Sequence, residues 1–133
     1  MTGRRAIHLP SFAHANPVPA ASRVGPLLMS GALTGRDPVT GAMPESLRTQ
    51  VANVFALVRD VMTAAGGTTD DIVKVTVHLA DYRDRAALNE AWTEMFPDAA
   101  TMPARQVLAA SLDGGALIHA DLVAWLAPVE GSS

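Results

Sequence analysis

The sequence contains no cysteine, so disulfides, thiolate metal sites and thiol nucleophiles are excluded together. The fold must therefore stand on packing alone. Aromatic residues make up only 5% of a chain that is 49% hydrophobic, which predicts a core of Ala, Val and Leu whose small side chains let elements or subunits approach closely. The same scarcity removes the stacking platforms on which single-stranded nucleic acid binds. No long basic run occurs and the net charge is −3, without the electrostatic footprint of a nucleic-acid or membrane-surface binder. No apolar run approaches membrane-spanning length, and Ala6-Ile7-His8-Leu9-Pro10 is far too short for the apolar core of a signal peptide. A soluble cytoplasmic protein is the expectation. His8, His14 and His78 lack metal-ligand spacing, so no metal is expected. Repeats and low-complexity segments are also missing, and 133 residues fit one domain, 1–133, with one hydrophobic core.

What is present centres on Thr101-Met102-Pro103-Ala104-Arg105-Gln106-Val107-Leu108-Ala109-Ala110. Pro103 suits the start or edge of a strand, so a strand is predicted from Ala104 to Ser111. Period two sets Arg105, Val107 and Ala109 on one face and Gln106, Leu108 and Ala110 on the other. A planar, forked guanidinium at this place matches a carboxylate better than a lysine would. The plainer reading is an arginine at a strand end that reaches solvent or a nearby carboxylate.

Around this stretch the order is strand, strand, helix, strand, helix, strand, strand. Met1 to Arg23, with three prolines, predicts irregular chain after a short strand near Ala6 to Leu9. Leu27 to Leu33 reads as a strand whose Ser30-Gly31 pair marks a bulge or close backbone approach, and Asp37-Pro38-Val39-Thr40-Gly41 as a turn. Apolar residues at three- and four-residue steps from Leu47 to Ala65 predict an amphipathic helix over Glu45 to Ala65, opened by Pro44 and ended by Gly66. Asp71 to Asp81 alternates as a strand, Val73, Val75, Val77 and Leu79 forming its aliphatic face. Tyr82 to Phe96 predicts a second helix stopped by Pro97. Asp113-Gly114-Gly115 predicts an antiparallel hairpin between the arginine strand and a last strand, Ala116 to Ala127. The sum is an α+β domain with both helices on one face of a sheet. The opposite face would carry His78, Arg105, Val107, His119, Asp121 and Trp125, too apolar for solvent and too polar for a core. A symmetric oligomer would bury it.

Leu28-Met29-Ser30-Gly31, Asp37-Pro38-Val39-Thr40-Gly41, Asp71-Ile72-Val73-Lys74-Val75-Thr76-Val77, Leu88-Asn89-Glu90-Ala91-Trp92 and, above all, Met102-Pro103-Ala104-Arg105 appear in the order found in the RidA (YjgF) family. The chain resembles these enamine/imine deaminases, long labelled L-PSP endoribonucleases. The resemblance implies a chorismate-mutase-like fold with a mixed sheet, a homotrimer, and sites between neighbouring subunits. It also implies that Arg105 binds the carboxylate of a small metabolite such as 2-aminoacrylate or a 2-imino acid. Ser30, Gly31 and Val107 would line the pocket, and no cofactor or metal is implied. Three positions depart from the family pattern. Its water-positioning glutamate falls on His119, its cysteine on Val107, and its pocket tyrosine about at Pro17.

An imine beside a carboxylate is already electrophilic, so hydrolysis requires holding it, aiming water at it and protonating the ammonia that leaves. Arg105 would do the holding. His119, which titrates near neutrality, would replace the glutamate as base or water-positioner, with Ser30 in support. The plainer reading of His119 is an interface histidine with satisfied hydrogen bonds. Asp121 reads as a partner of Arg105 or of a neighbouring subunit's cation. The alternative function is a non-catalytic binding or sensing protein for a small carboxylate metabolite. A nuclease, the third reading, lacks the basic groove it would need.

Overall fold

The computed structural model describes residues 3–12 and 16–128, and His14 lies outside them. The apolar periodicity forms helix α1, Leu47–Ala65. It begins two residues later than Glu45 because the Ser46 side chain takes the N-cap, accepting from the Thr49 N–H. Gly66, at φ 87°, closes it in the left-handed conformation, and Arg23 donates to the Ala65 carbonyl at 2.6 Å. Helix α2, Ala86–Met95, starts four residues after Tyr82. The Asp81 side chain accepts the Arg83 N–H, a local turn that competes with helix. Leu88, Trp92 and Phe96 form its buried stripe, with Ala91 and Met95 half-buried.

The strands are β1 (Arg4–Ile7), β2 (Ala21–Val24), β3 (Leu27–Ser30), β4 (Leu33–Thr34), β5 (Ile72–Leu79), β6 (Ala104–Ala109) and β7 (Ile118–Trp125). They make one sheet in the order β1-β2-β3-β7-β5-β6, with β4 also on β7. Strand β2 falls where irregular chain was predicted. Gly25, at φ 55°, turns it directly onto β3, pairing Val24 with Leu27.

Two further predictions are corrected. Strands β6 and β7 do not form a hairpin. They flank β5, β6 in parallel and β7 antiparallel. Asp113-Gly114-Gly115 does turn, with both glycines at positive φ and the Ala116 N–H on the Asp113 carbonyl, but the connection carries the chain across the end of β5. There Ala110 bonds the Leu79 carbonyl and Ala80 the Leu117 carbonyl. Val73 is 53% exposed rather than on the aliphatic face. A register shift between Ile72 and Lys74 makes it the extra residue of a bulge and buries Ile72 instead.

Both helices cover one sheet face, over Leu28, Leu33, Val75, Val77, Leu79, Ile118, Ala120 and Leu122, all buried. Gln50 is the one fully buried polar side chain among the described residues. Its amide nitrogen donates to the Pro44 and Gly115 carbonyls at 2.7 and 3.1 Å, and its oxygen accepts the Leu117 N–H at 2.7 Å. This ties α1 to the loop that enters β7. No helix among the described residues is long and apolar enough to cross a membrane.

Candidate functional site

Arg105 stands on β6, the edge strand, opposite Val75 of β5, and Val107 stands opposite Val77. Paired residues point to the same side of a sheet, so Arg105 and Val107 lie on the helix side, not on the open face predicted for them. There the guanidinium meets α2. Its Nη2 donates to Asn89 Oδ1 at 2.9 Å, and its central carbon lies 5.1 Å from the Trp92 ring centroid. Nη1 is buried and has no hydrogen-bond partner. Burial, and then the positive charge of Arg85, lower the Arg105 pKa. A charged donor held dry without an acceptor is costly, and an incoming anion would relieve that cost.

Ser30 and Gly31 sit where β3 breaks off before β4. Met29 pairs with Val123 and Leu33 with Ala120, so four steps on this side face three on β7. The predicted interruption is thus a bulge. The Ser30 hydroxyl accepts the Leu122 N–H and donates to the Gly31 carbonyl, both at 2.9 Å, filling the gap in the ladder. A Cβ on Gly31 would meet only the Ala20 carbonyl oxygen, at 3.9 Å. The chain's own packing therefore does not require glycine at this exposed position.

His119 is half-buried on the open face, with His78 as its β5 register partner and Thr34 as its β4 partner. Burial, then the His78 ring, lower its pKa from the ordinary histidine value, and Asp113 opposes this in part. The lowered pKa favours the neutral, proton-accepting imidazole. Asp121 shares this face, half-buried opposite Thr76, while Arg105 lies on the other. Among the described residues Asp121 makes no ion pair. Pro17 is exposed.

A single chain does not bring these groups together. Arg105, Val75, Leu122 and Ser30 follow one another across β6, β5, β7 and β3, and three strand spacings separate the outer two by about 14 Å. His119 is on the opposite sheet face from Arg105. Cavities of about 220 and 280 Å³ lie elsewhere, one between α1 and α2 around Phe55 and Ala91, the other beside the Asp37–Gly41 turn. No cluster of three or more metal-ligating side chains occurs among the described residues.

The profile of the family described as Endoribonuclease L-PSP matches residues 11–125. A RutC family protein of Pyrococcus abyssi is 31% identical over 111 residues, covering 82% of this chain and 86% of that protein. This chain belongs to the RidA (YjgF) family. Its fold agrees. RidA from the Antarctic bacterium Psychrobacter sp. PAMC 21119 superposes with a TM-score of 0.84 at 27% identity, over 92% of this chain and 99% of that one. The 2-iminobutanoate/2-iminopropanoate deaminase of Salmonella typhimurium is 34% identical over 83 residues, which span 62% of this chain and 65% of that enzyme. This RidA-family chain is thus related to imine deaminases.

Asn89 and Trp92 escaped the sequence reading as site residues. Both lie in the Leu88–Trp92 motif, but helical spacing from Leu88 makes Trp92 read as core, and nothing in the motif assigns Asn89 a role. Only the approach of β6 to α2 shows that they hold the guanidinium.

Proposed function

We propose that this protein is a 2-enamine/2-imine deaminase that hydrolyses reactive imino acids to keto acids and ammonia, at sites formed between copies of the chain in a homotrimer. One subunit contributes Arg105, oriented by Asn89 and Trp92, with Val107 beside it. Its neighbour contributes His119, Ser30 and Gly31. The observation that carries the reading is the buried, unpartnered Nη1 of Arg105, a donor the chain leaves without an acceptor and a substrate carboxylate would satisfy. The division between subunits is supported by the separation of these groups across one sheet. It is supported too by an open face that exposes the neighbouring apolar residues Leu27, Met29 and Trp125 at 40, 53 and 60%, the kind of surface a partner subunit covers.

The carboxylate is fixed by Arg105 and water is added to the imine carbon with His119 as base or orienting group. The C–N bond then breaks as the nitrogen takes a proton and leaves as ammonia. One observation favours a second reading, a carboxylate-binding protein without turnover. The Ser30 hydroxyl is already committed to Leu122 and Gly31, and histidine stands where the family has glutamate. A coupled assay decides between them. Imino acids are generated from several amino acids, and keto-acid release is followed beside light-scattering mass. A trimer that accelerates release above the spontaneous rate supports the enzyme. A trimer that binds keto acids without acceleration supports the sensor, and a stable monomer at micromolar concentration overturns both.

A further inference from the structure

Arg85 is the N-cap residue of α2, one turn before Asn89, whose N–H bonds its carbonyl. Arg85, Asn89 and Trp92 therefore follow one another along a single helix face, and Arg105 lies across the last two. The Arg85 guanidinium is braced rather than neutralised. Its Nε donates to the Tyr82 carbonyl at 2.8 Å and its central carbon lies 4.6 Å from the Tyr82 ring centroid. No hydrogen bond from its Nη atoms is present among the described residues. The adjacent cations Arg83 and Arg48 reach carboxylates, Asp81 and Glu90. Arg85 and Arg105 are both half-buried and neither makes an ion pair among the described residues, and α2 has no acidic residue in its first turn. Asn89 links them, its side chain accepting from Arg105 and its N–H bonding the Arg85 carbonyl one turn earlier, and the Arg85 charge adds to burial in lowering the Arg105 pKa. Like charges placed together without a counter-ion mark a place for an anion of more than one charge.

We infer that Arg85 and Arg105 form a paired-guanidinium subsite that selects substrates with two carboxylates, the imines of acidic amino acids, over those with one. This rests on the reading that Arg105 holds the substrate carboxylate. Arg105 takes the carboxylate next to the reacting carbon and Arg85 takes the distal one.

The test is calorimetric titration of the full-length protein with the stable product keto acids: 2-oxobutanoate with one carboxylate, 2-oxoglutarate and 2-oxoadipate with two. At least one dicarboxylate is expected to bind tenfold or more tighter than 2-oxobutanoate, roughly the contribution of one charge-assisted hydrogen bond. Arg85→Gln, which keeps a polar side chain of similar reach, and Arg85→Ala should both collapse that ratio toward one. Equal affinities in the wild type, or a ratio unchanged in both variants, would overturn the dicarboxylate selection while leaving the deaminase reading intact. Binding of none of the three acids would overturn both.

Discussion

Replacing Arg105 by methionine removes a charge but keeps an unbranched side chain of similar reach, and the structure sets its two consequences against each other. Stability loses the charged hydrogen bond to Asn89, about 1.5–3 kcal/mol, and the Trp92 contact, about 0.5–2 kcal/mol. It regains the desolvation cost of the unpartnered Nη1, about 1–3 kcal/mol or more for a charged group, and the repulsion from Arg85. The midpoints leave a net loss of about 1.5 kcal/mol before the relieved repulsion is counted, a drop in melting temperature of no more than about 6 °C for a domain of this size. Binding has no such compensation. A carboxylate that loses a two-pronged charged contact should bind at least about 30-fold more weakly, equivalent to about 2 kcal/mol. Scanning calorimetry at fixed protein concentration, paired with titration of 2-oxobutanoate, reads both quantities on one sample. Arg105→Lys should be similarly poor in binding, because a point charge does not reproduce the fork. A methionine variant destabilised by more than about 3 kcal/mol, with keto-acid affinity intact, would mean that the guanidinium is a structural clasp between β6 and α2.

Other residues give separate outcomes. His119→Ala should lower imino-acid turnover by roughly 10²–10⁴ while keto-acid binding persists. Because the neutral imidazole is the active form and its pKa is lowered, wild-type turnover should hold through neutral pH. It should decline only as pH drops below the usual histidine value near 6.5, and His119→Glu should move that limb lower still. A rate indifferent to His119→Ala would shift the role to water held by backbone groups. Ser30→Ala strands the Leu122 N–H and should cost about 1–3 kcal/mol in urea unfolding; an unchanged midpoint would show that the bulge closes without its hydroxyl. Gln50→Leu leaves the Leu117 N–H and two carbonyls unsatisfied and should cost about 2–4 kcal/mol. A variant as stable as wild type would mean that α1 and the loop before β7 repack without it.

Local chemistry was legible in the sequence and pairing was not. The α1 stripe, the Gly66 stop and the bulge at Ser30-Gly31 each follow from a few adjacent residues. Strand β2 has only four residues and one strong strand former, and it forms because Gly25 folds it onto β3. Arg105 shows the deeper limit. Alternation groups Arg105 with Val107, but the side of the sheet they occupy is settled by which strand they join, and β5 lies some thirty residues earlier. The expected hairpin with β7 failed for the same reason. His78 and His119 were placed on one face correctly. Their direct opposition depends on a register that no local signal encodes.

The bulge between β3 and β4 also settles a question of parity. Leu28 and Leu33 are both fully buried, yet they stand five residues apart, and an uninterrupted strand would send one inward and the other out. The extra residue corrects the count. Between them lies a short stretch whose side chains neither face of the sheet dictates, and it holds Ser30 and Gly31. The core constrains where this stretch begins and ends, and the Leu122 N–H holds Ser30, but Gly31 can change to suit a ligand without any leucine moving. Removing one residue there would leave Leu28 and Leu33 an even four apart, so the strands would run on as one with both leucines still inward, and the irregular stretch itself would be lost.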